Sequence, residues 1–356
     1  MSTIVRQRVH SGPRGIRGFL AATVTATLIA TLAGCAIQGQ PESAGAGQDL
    51  PEVVVTTNIL GDVVSQVLGD AAHVTTLMRP NADPHSFEIS ASEAALLDRA
   101  ALVVSNGFGL EEGLQQHLDR VRQAGTPMFV AGDHIESIPY TSTDSGAGGT
   151  DSGAGGSGSG DPDPHFWTDP GRMVDVVEAL TTTLTDASAV AGINTADRTA
   201  IATRGEAYAG QLRELDSEMA ERFSAIPSER RALITNHHVF GYLADRYDFR
   251  VLGTAIPGGT TLAAPSAADL RELVDAITSA NVPAIFAESS APDRLMRVLA
   301  EEAGIDVQVI ELFTESLSLP GAGAETYVEM LTTNTARIAD GLDPDALQLP
   351  TDRSAQ

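Results

Sequence analysis

The feature that most limits how this chain can fold is one long helical stretch near its middle. Residues 194–226, NTADRTAIATRGEAYAGQLRELDSEMAERFSAI, keep helical spacing throughout, begin at a capping residue (Asn194 or Thr195) and stop before Pro227. About thirty residues of helix span ~45 Å, more than a crossover between neighbouring strands needs. A strut between two bodies uses that length better. On both sides of it, short β-rich apolar runs alternate with helical patterns. Before it come VVVTT (53–57), HVTTLM (73–78), ALVVSNG (101–107) and PMFVAGD (127–133), with helical segments at 59–69, 90–100, 110–125 and 171–188. Ser90 and Glu93 have the spacing of a capping box. After it come ALITNH (232–237), RVLGTAI (250–256), PAIFAES (283–289) and DVQVIEL (306–312), with helical segments between them and a closing one at 325–342. This alternation predicts an α/β fold with mostly parallel sheets flanked by helices. The expected architecture is two similar lobes of that kind joined by one long rigid helix. The recurrence is architectural and not a tandem repeat of sequence.

The ends and one internal segment fall outside that pattern. Residues 1–34 carry Arg6, Arg8, Arg14 and Arg17 and no acid, continue into the apolar FLAATVTATLIATLAG, and lead to LAGC, Leu32 to Cys35. This reads as an export signal, short for a membrane span. Cys35 is the only cysteine, so no internal disulfide can form. LAGC resembles a bacterial lipobox, which implies that Cys35 is lipidated and becomes the first residue of the mature protein. Residues 35–51 are then a flexible tether. Residues 141–161 have lost all periodicity and are expected to be a disordered Gly/Ser/Asp loop. The other expected boundaries are a first lobe at 52–193, the joining helix at 194–227, a second lobe at 228–343 and a flexible tail at 344–356. Lys+Arg is 22, all of it Arg, against 47 Asp+Glu, a net charge of -25. Such acidity argues against nucleic acid or an anionic membrane surface as ligand and tolerates a cationic one.

Ligands of open α/β sheets collect beyond the carboxyl ends of strands. Four metal-capable side chains stand at such places. His85 lies in NADPHSFE, His165 in DPDPHFWTDP, His237 at the end of ALITNH and Glu315 in LFTESLS. Two precede the long helix and two follow it, so lobes that face each other bring all four to one point. Three imidazoles and one carboxylate make a closed shell that suits a d¹⁰ ion such as Zn²⁺. Taken singly, a loop histidine is more often bonded to solvent or backbone, and a loop glutamate is usually solvated. The Asp-Pro-His triplet, however, occurs twice, at 83–85 and 163–165. Its Asp-Pro step is expected to hold the backbone extended and aim the ring. Asp83, Asp163 and Asp169 are candidate acceptors for the second ring N–H of these histidines. His238 is expected to face away from His237. Glu288 is a ligand, a partner of one, or bonded locally, with Ser289 and Ser290 capping the next helix. Phe166 and Trp167 are expected to pack the chain against the lobe, and His73, His117 and His134 to be structural or exposed.

DPHSFE, DPHFWTDP, TNHHVFGYLADRYDF, PAIFAESS and FTESLS, in that order between about residues 52 and 343, resemble the solute-binding lipoproteins of zinc and manganese ABC transporters. That family has two lobes joined by one rigid helix. The resemblance implies a binding protein, not an enzyme, that captures a divalent metal between its lobes and delivers it to an ABC permease and its ATPase. It implies His85 and His165 as ligands from the first lobe, His237 as the third, and Glu315 as the fourth, where the family usually has Asp. His238 stands where the family often has Asp. Members with His in the third position tend to bind zinc and those with Glu manganese, and the softness of imidazole agrees. Zn²⁺ is therefore expected ahead of Mn²⁺. The extra methylene of Glu315 reaches further, permits two-oxygen binding and loosens selectivity. The segment before DPHFWTDP lacks the histidines that zinc-specific members often carry there, which puts a metal-gathering role for it in doubt. A monomer held on the outer face of the cell membrane by Cys35 is expected. The alternatives are an envelope zinc hydrolase, which needs an open coordination position and finds no HExxH helix here, and a surface adhesin with a structural metal site.

Overall fold

The computed structural model describes residues 50–140, 160–256, 258, 260–305 and 307–343. The expected signal at 1–34, Cys35, nearly all of the tether, most of the 141–161 loop and the 344–356 tail lie outside the described residues.

The first half runs β1 (Glu52–Val55), α1 (Asn58–Leu68), β2 (His73–Thr76), α2 (Ala91–Leu97), β3 (Leu102–Ser105), α3 (Gln115–Ala124), β4 (Met128–Val130) and α4 (Pro170–Thr185). Its strands form one sheet in the order β2-β1-β3-β4, parallel throughout. Alternation along β1 explains why both faces are covered. Val53 and Val55 enter the core shared with α1 and α4, while Val54 enters the core under α2 and α3. Burying a side chain of this kind stabilises by roughly 1.5–3 kcal/mol. The chain passes from β1 to β2 on one side and reaches β3 on the other, so a crevice opens at the carboxyl ends of β1 and β3.

The long helix α5 (Thr195–Ser224) has 30 residues and is capped by Asn194, whose Oδ1 accepts from the N–H of Asp197 at 3.0 Å. Near its start, Arg204 donates to the carbonyls of Val67 (2.9 Å) and Leu68 at the end of α1. Near its end, the Phe223 ring meets Tyr247 and Phe249 of the second half at 5.2 and 5.0 Å. The helix therefore reaches from one half into the other.

The second half runs β5 (Ala232–Thr235), α6 (Gly241–Tyr247), β6 (Arg250–Thr254), α7 (Ala267–Ala280), β7 (Ala284–Glu288), α8 (Arg294–Ala303), β8 (Gln308–Leu312) and α9 (Tyr327–Leu342). Its strands form two parallel pairs, β5-β6 and β7-β8, in place of a single four-stranded ladder. The register of β5 on β6 skips Leu252, a bulge that breaks regular pairing. β5 and β7 still lie side by side. The side chain of Asn236 joins their carboxyl ends, its Oδ1 accepting from the N–H of Glu288 at 3.2 Å.

The expected capping box of Ser90 and Glu93 is present at α2. The helix expected from residue 110 starts only at Gln115, because Glu111 turns its carboxylate inward, to Thr56 and the N–H groups of Asn106 and Gly107. One hydrophobic core includes Val55, Val176, Leu212, Leu233, Phe286 and Tyr327, so both halves and α5 share it. All described residues belong to one compact unit, Gly47–Gln356. Among them, no helix is long and apolar enough to cross a membrane.

Candidate metal centre

Each half supplies two side chains to the crevice. In the first, the Oδ1 of Asp83 accepts the backbone N–H of His85 at 2.8 Å, and the Oδ1 of Asp163 that of His165 at 2.9 Å. Both Asp-Pro-His triplets are thus tight Asx turns, not the extended segments expected. The middle proline presets a φ that such a turn uses, and the aspartate closes it. In the second half, His237 follows the end of β5, with its carbonyl accepting from the Oγ1 of Thr235 at 2.7 Å. Glu315 lies beyond β8, in a buried loop held by the Trp167 indole N–H to the carbonyl of Thr314 (2.8 Å).

The four side chains meet. One ligand atom from each of His85, His165, His237 and Glu315 lies within 4.8 Å of all the others, and all four residues are buried. The Nε2 of His85 is 3.4 Å from the Oε2 of Glu315, while the Nε2 atoms of His165 and His237 are 3.6 and 3.4 Å from its Oε1. All three rings therefore present the same nitrogen. The Nε2 of His237 and both oxygens of Glu315 are buried without a hydrogen-bond partner among the described residues. Orphaned atoms of this kind are costly unless something else satisfies them. Three nitrogens and a carboxylate at these separations fit a divalent transition ion.

The electrostatics couple these groups to one another. Burial opposes charge on Glu315, but His165 and His237 outweigh it and hold the carboxyl well below its usual range. Burial likewise disfavours a charged His237, yet Glu288 and Glu315 together push its pKa well above the ordinary imidazole value. The imidazole therefore holds its proton more tightly than a free one, and metal binding at such a nitrogen is pH-dependent.

Residues 53–341 match the family described as ZnuA, zinc-uptake complex component A, periplasmic. The zinc-binding protein TroA of Treponema pallidum is 30% identical over 308 residues, covering 85% of this chain and 92% of that protein. The manganese-binding lipoprotein MntA of Halalkalibacterium halodurans is 25% identical over 292 residues, with 82% and 88% covered. The solved structure of the Treponema pallidum protein superposes with a TM-score of 0.70 at 29% identity, covering 82% of this chain and 99% of that one. The chain belongs to the ZnuA family of metal ABC transporter substrate-binding proteins. Proteins of the ZnuA family are binding proteins that work with an ABC permease and its ATPase, and they are not enzymes. Relatives named for zinc, manganese and iron all occur.

In this ZnuA-family chain, the surroundings of the four residues correct several expectations. Of the three candidate acceptors, only Asp163 holds a ring, taking the Nδ1 of His165 at 2.7 Å. Asp83 spends its second oxygen on the hydroxyls of Ser86 (3.0 Å) and Thr261 (2.5 Å), the latter from the other half. Asp169 caps α4 through the N–H of Gly171 at 2.7 Å and pairs with Arg246 at 3.3 Å. Glu288 does not join the four. It accepts from the Nδ1 of His237. Ser289 and Ser290 cap nothing, since α8 begins after Asp293 without a side-chain cap. His238 points away from the centre, to Asp163 at 3.8 Å. Burial holds its pKa below the ordinary value against the pull of Asp163. Phe166 and Trp167 are buried. His73 and His134 are exposed and His117 is half-buried.

Sequence reasoning missed three supporting residues. Glu111, fully buried, ties the ends of β1 and β3 together. Asn106 donates to the carbonyl of Pro164 at 3.0 Å and so holds the residue before His165. Asn58 donates to the Oγ of Ser316 (2.7 Å) and accepts from the N–H of Leu317 (2.9 Å), which fixes the loop of Glu315 to α1. No local pattern marks these residues, because each acts on a partner distant in sequence or on backbone.

Proposed function

We propose that this protein captures one Zn²⁺ ion between its two halves and delivers it to the permease of a metal ABC importer. His85, His165 and His237 bind through Nε2, and Glu315 through its carboxylate. The observation that carries this reading is the convergence of those four buried groups, with the Nε2 of His237 and both Glu315 oxygens left without a hydrogen-bond partner among the described residues. Three imidazoles favour zinc over manganese, which prefers oxygen donors. The identity with a zinc-binding protein of Treponema pallidum supports the same ion.

The lobes are taken as residues 52–193 and 228–343, with 194–227 joining them. The lipobox-like LAGC supports cleavage after residue 34 and lipidation of Cys35, and with it an anchor on the outer face of the cell membrane; the protein is taken as a monomer. Several relatives named as lipoproteins agree with that placement.

The test is elemental analysis of protein purified without added metal, followed by competition between Zn²⁺ and Mn²⁺. Trp167, the only tryptophan, has its ring 5.2 Å from that of His165 and serves as the fluorescent reporter. One tightly held zinc per chain that Mn²⁺ does not displace is expected. A protein that stays metal-free with equimolar zinc would sink the proposal, and displacement by Mn²⁺ would reassign the ion.

A further inference from the structure

The four residues of the proposed centre are closed off, with side chains 0–2% exposed. An ion moving in or out must pass another group first. His238 is adjacent, carries a side chain 15% exposed, and has no place in the centre itself.

Its Nε2 lies 3.8 Å from the Oδ2 of Asp163. That carboxylate looks both ways. Its Oδ1 holds the backbone and ring of His165, while its Oδ2 is completely buried and has no hydrogen-bond partner among the described residues. At 3.8 Å, His238 is too far to donate to it. Both atoms border Gly241. A Cβ there would stand 2.5 Å from the Oδ2 of Asp163 and 3.3 Å from the Nε2 of His238, so only glycine lets the two groups approach as they do.

We propose that the Nε2 of His238 and the Oδ2 of Asp163 form an outer holding point for a divalent transition cation, next to the inner centre. This rests on the reading of the inner four as a metal site. Two bonds of about 2.0–2.2 Å each reach across such a gap. Imidazole and carboxylate are the same donor types as inside, so the outer point takes the same class of ion. Asp163 comes from the first half and His238 from the second, so the pair bridges the two halves. Because Asp163 also orients His165, an ion held outside is one carboxylate away from the inner nitrogens.

The experiment is calorimetric titration of the full chain with Zn²⁺ alone, for the wild type, His238→Ala and His238→Gln. The wild type should take up a tight equivalent and then a weaker one, and both variants should lose the weaker one. The Gln variant keeps a polar side chain of similar reach, which separates loss of a ligand from loss of packing. Retention of the tight equivalent shows that a variant is folded. A wild type with no second equivalent, or a second equivalent that survives in either variant, overturns the outer point. Absence of the tight equivalent from the wild type would instead sink the inner reading.

Discussion

The Nδ1 of His237 is hydrogen-bonded to the Oε1 of Glu288, although the two residues stand 51 positions apart in the chain. The backbone N–H of Glu288 is in turn held by Asn236, the neighbour of His237. The orientation of this ring is therefore set by the adjacent strand end. Partners of this kind also raise the basicity of a ligand nitrogen. Replacing Glu288 by Ala is expected to weaken zinc binding by about 10–100-fold, measured by competition with a chelating dye. Glu288→Gln should lose less, since its amide oxygen still accepts. Equal affinity in the wild type and Glu288→Ala would show that the ring is held by packing alone.

His85 is held differently. Its turn is closed by Asp83, and no acceptor stands at its Nδ1 among the described residues. His85→Ala removes one of four donors and should abolish tight zinc binding. At a zinc concentration about 100 times the dissociation constant, the wild type should gain ~2.7 kcal/mol of stability. Thermal unfolding with and without zinc checks this, and a variant that keeps the zinc-induced shift would remove His85 from the site.

Zinc binding should release protons and weaken as pH falls. The pKa of His237 is raised well above the ordinary imidazole value because Glu288 and Glu315 overcome the opposing effect of burial, so this ring holds its proton more tightly than a free imidazole. Metal must displace it, and acid favours the proton. Calorimetry in two buffers of different ionisation enthalpy should give different apparent binding heats. Identical heats would mean that no proton leaves.

Glu315 offers two oxygens, the Oε2 toward His85 and the Oε1 toward His165 and His237. A two-oxygen carboxylate raises the oxygen share of the donor set, which helps harder ions. Glu315→Asp, with a shorter reach, should bind with fewer oxygens and raise the preference for Zn²⁺ over Mn²⁺. Competition titrations of both proteins test this. An unchanged ratio would count against a role for the extra methylene.

Asp169 predicts a pH effect on stability away from the metal. Burial raises its pKa from 3.8 to about 6, partly offset by Arg246 and the N–H of Gly171. The folded form thus binds this proton more tightly than the unfolded form. Its contribution is fully present below about pH 3.8 and is lost as pH rises through about 6. Relative to Asp169→Asn, the wild type should gain stability as pH falls from 7 to about 4.5. Urea midpoints across that range check the sign, and a pH-independent difference would contradict it.

Much of the fold was legible because its signals are local. The capping box of Ser90 and Glu93, the period of α5 and the β-rich runs are each contained within a few turns of chain. The four candidate ligands were legible for a related reason. A histidine or glutamate just past a strand end is exceptional when the motif around it repeats, as Asp-Pro-His does at 83–85 and 163–165. What was misread involved choices between partners. Asp83, Asp163 and Asp169 look alike in sequence, yet one binds backbone and hydroxyls, one a ring, and one caps a helix.

By itself, then, the sequence determined the alternation of strands and helices, the length of the joining helix and which four side chains are candidate donors, because periodicity, capping and chemical type are properties of neighbouring residues. The tertiary structure alone decided that all three rings present Nε2, that Glu288 and Asp163 hold two of them, that both oxygens of Glu315 face inward, and that His238 looks outward to Asp163. Those relations join residues 51 or more apart across separate elements, or depend on which way a side chain turns. Only the packing of the two halves on one shared core brings such groups within reach of each other.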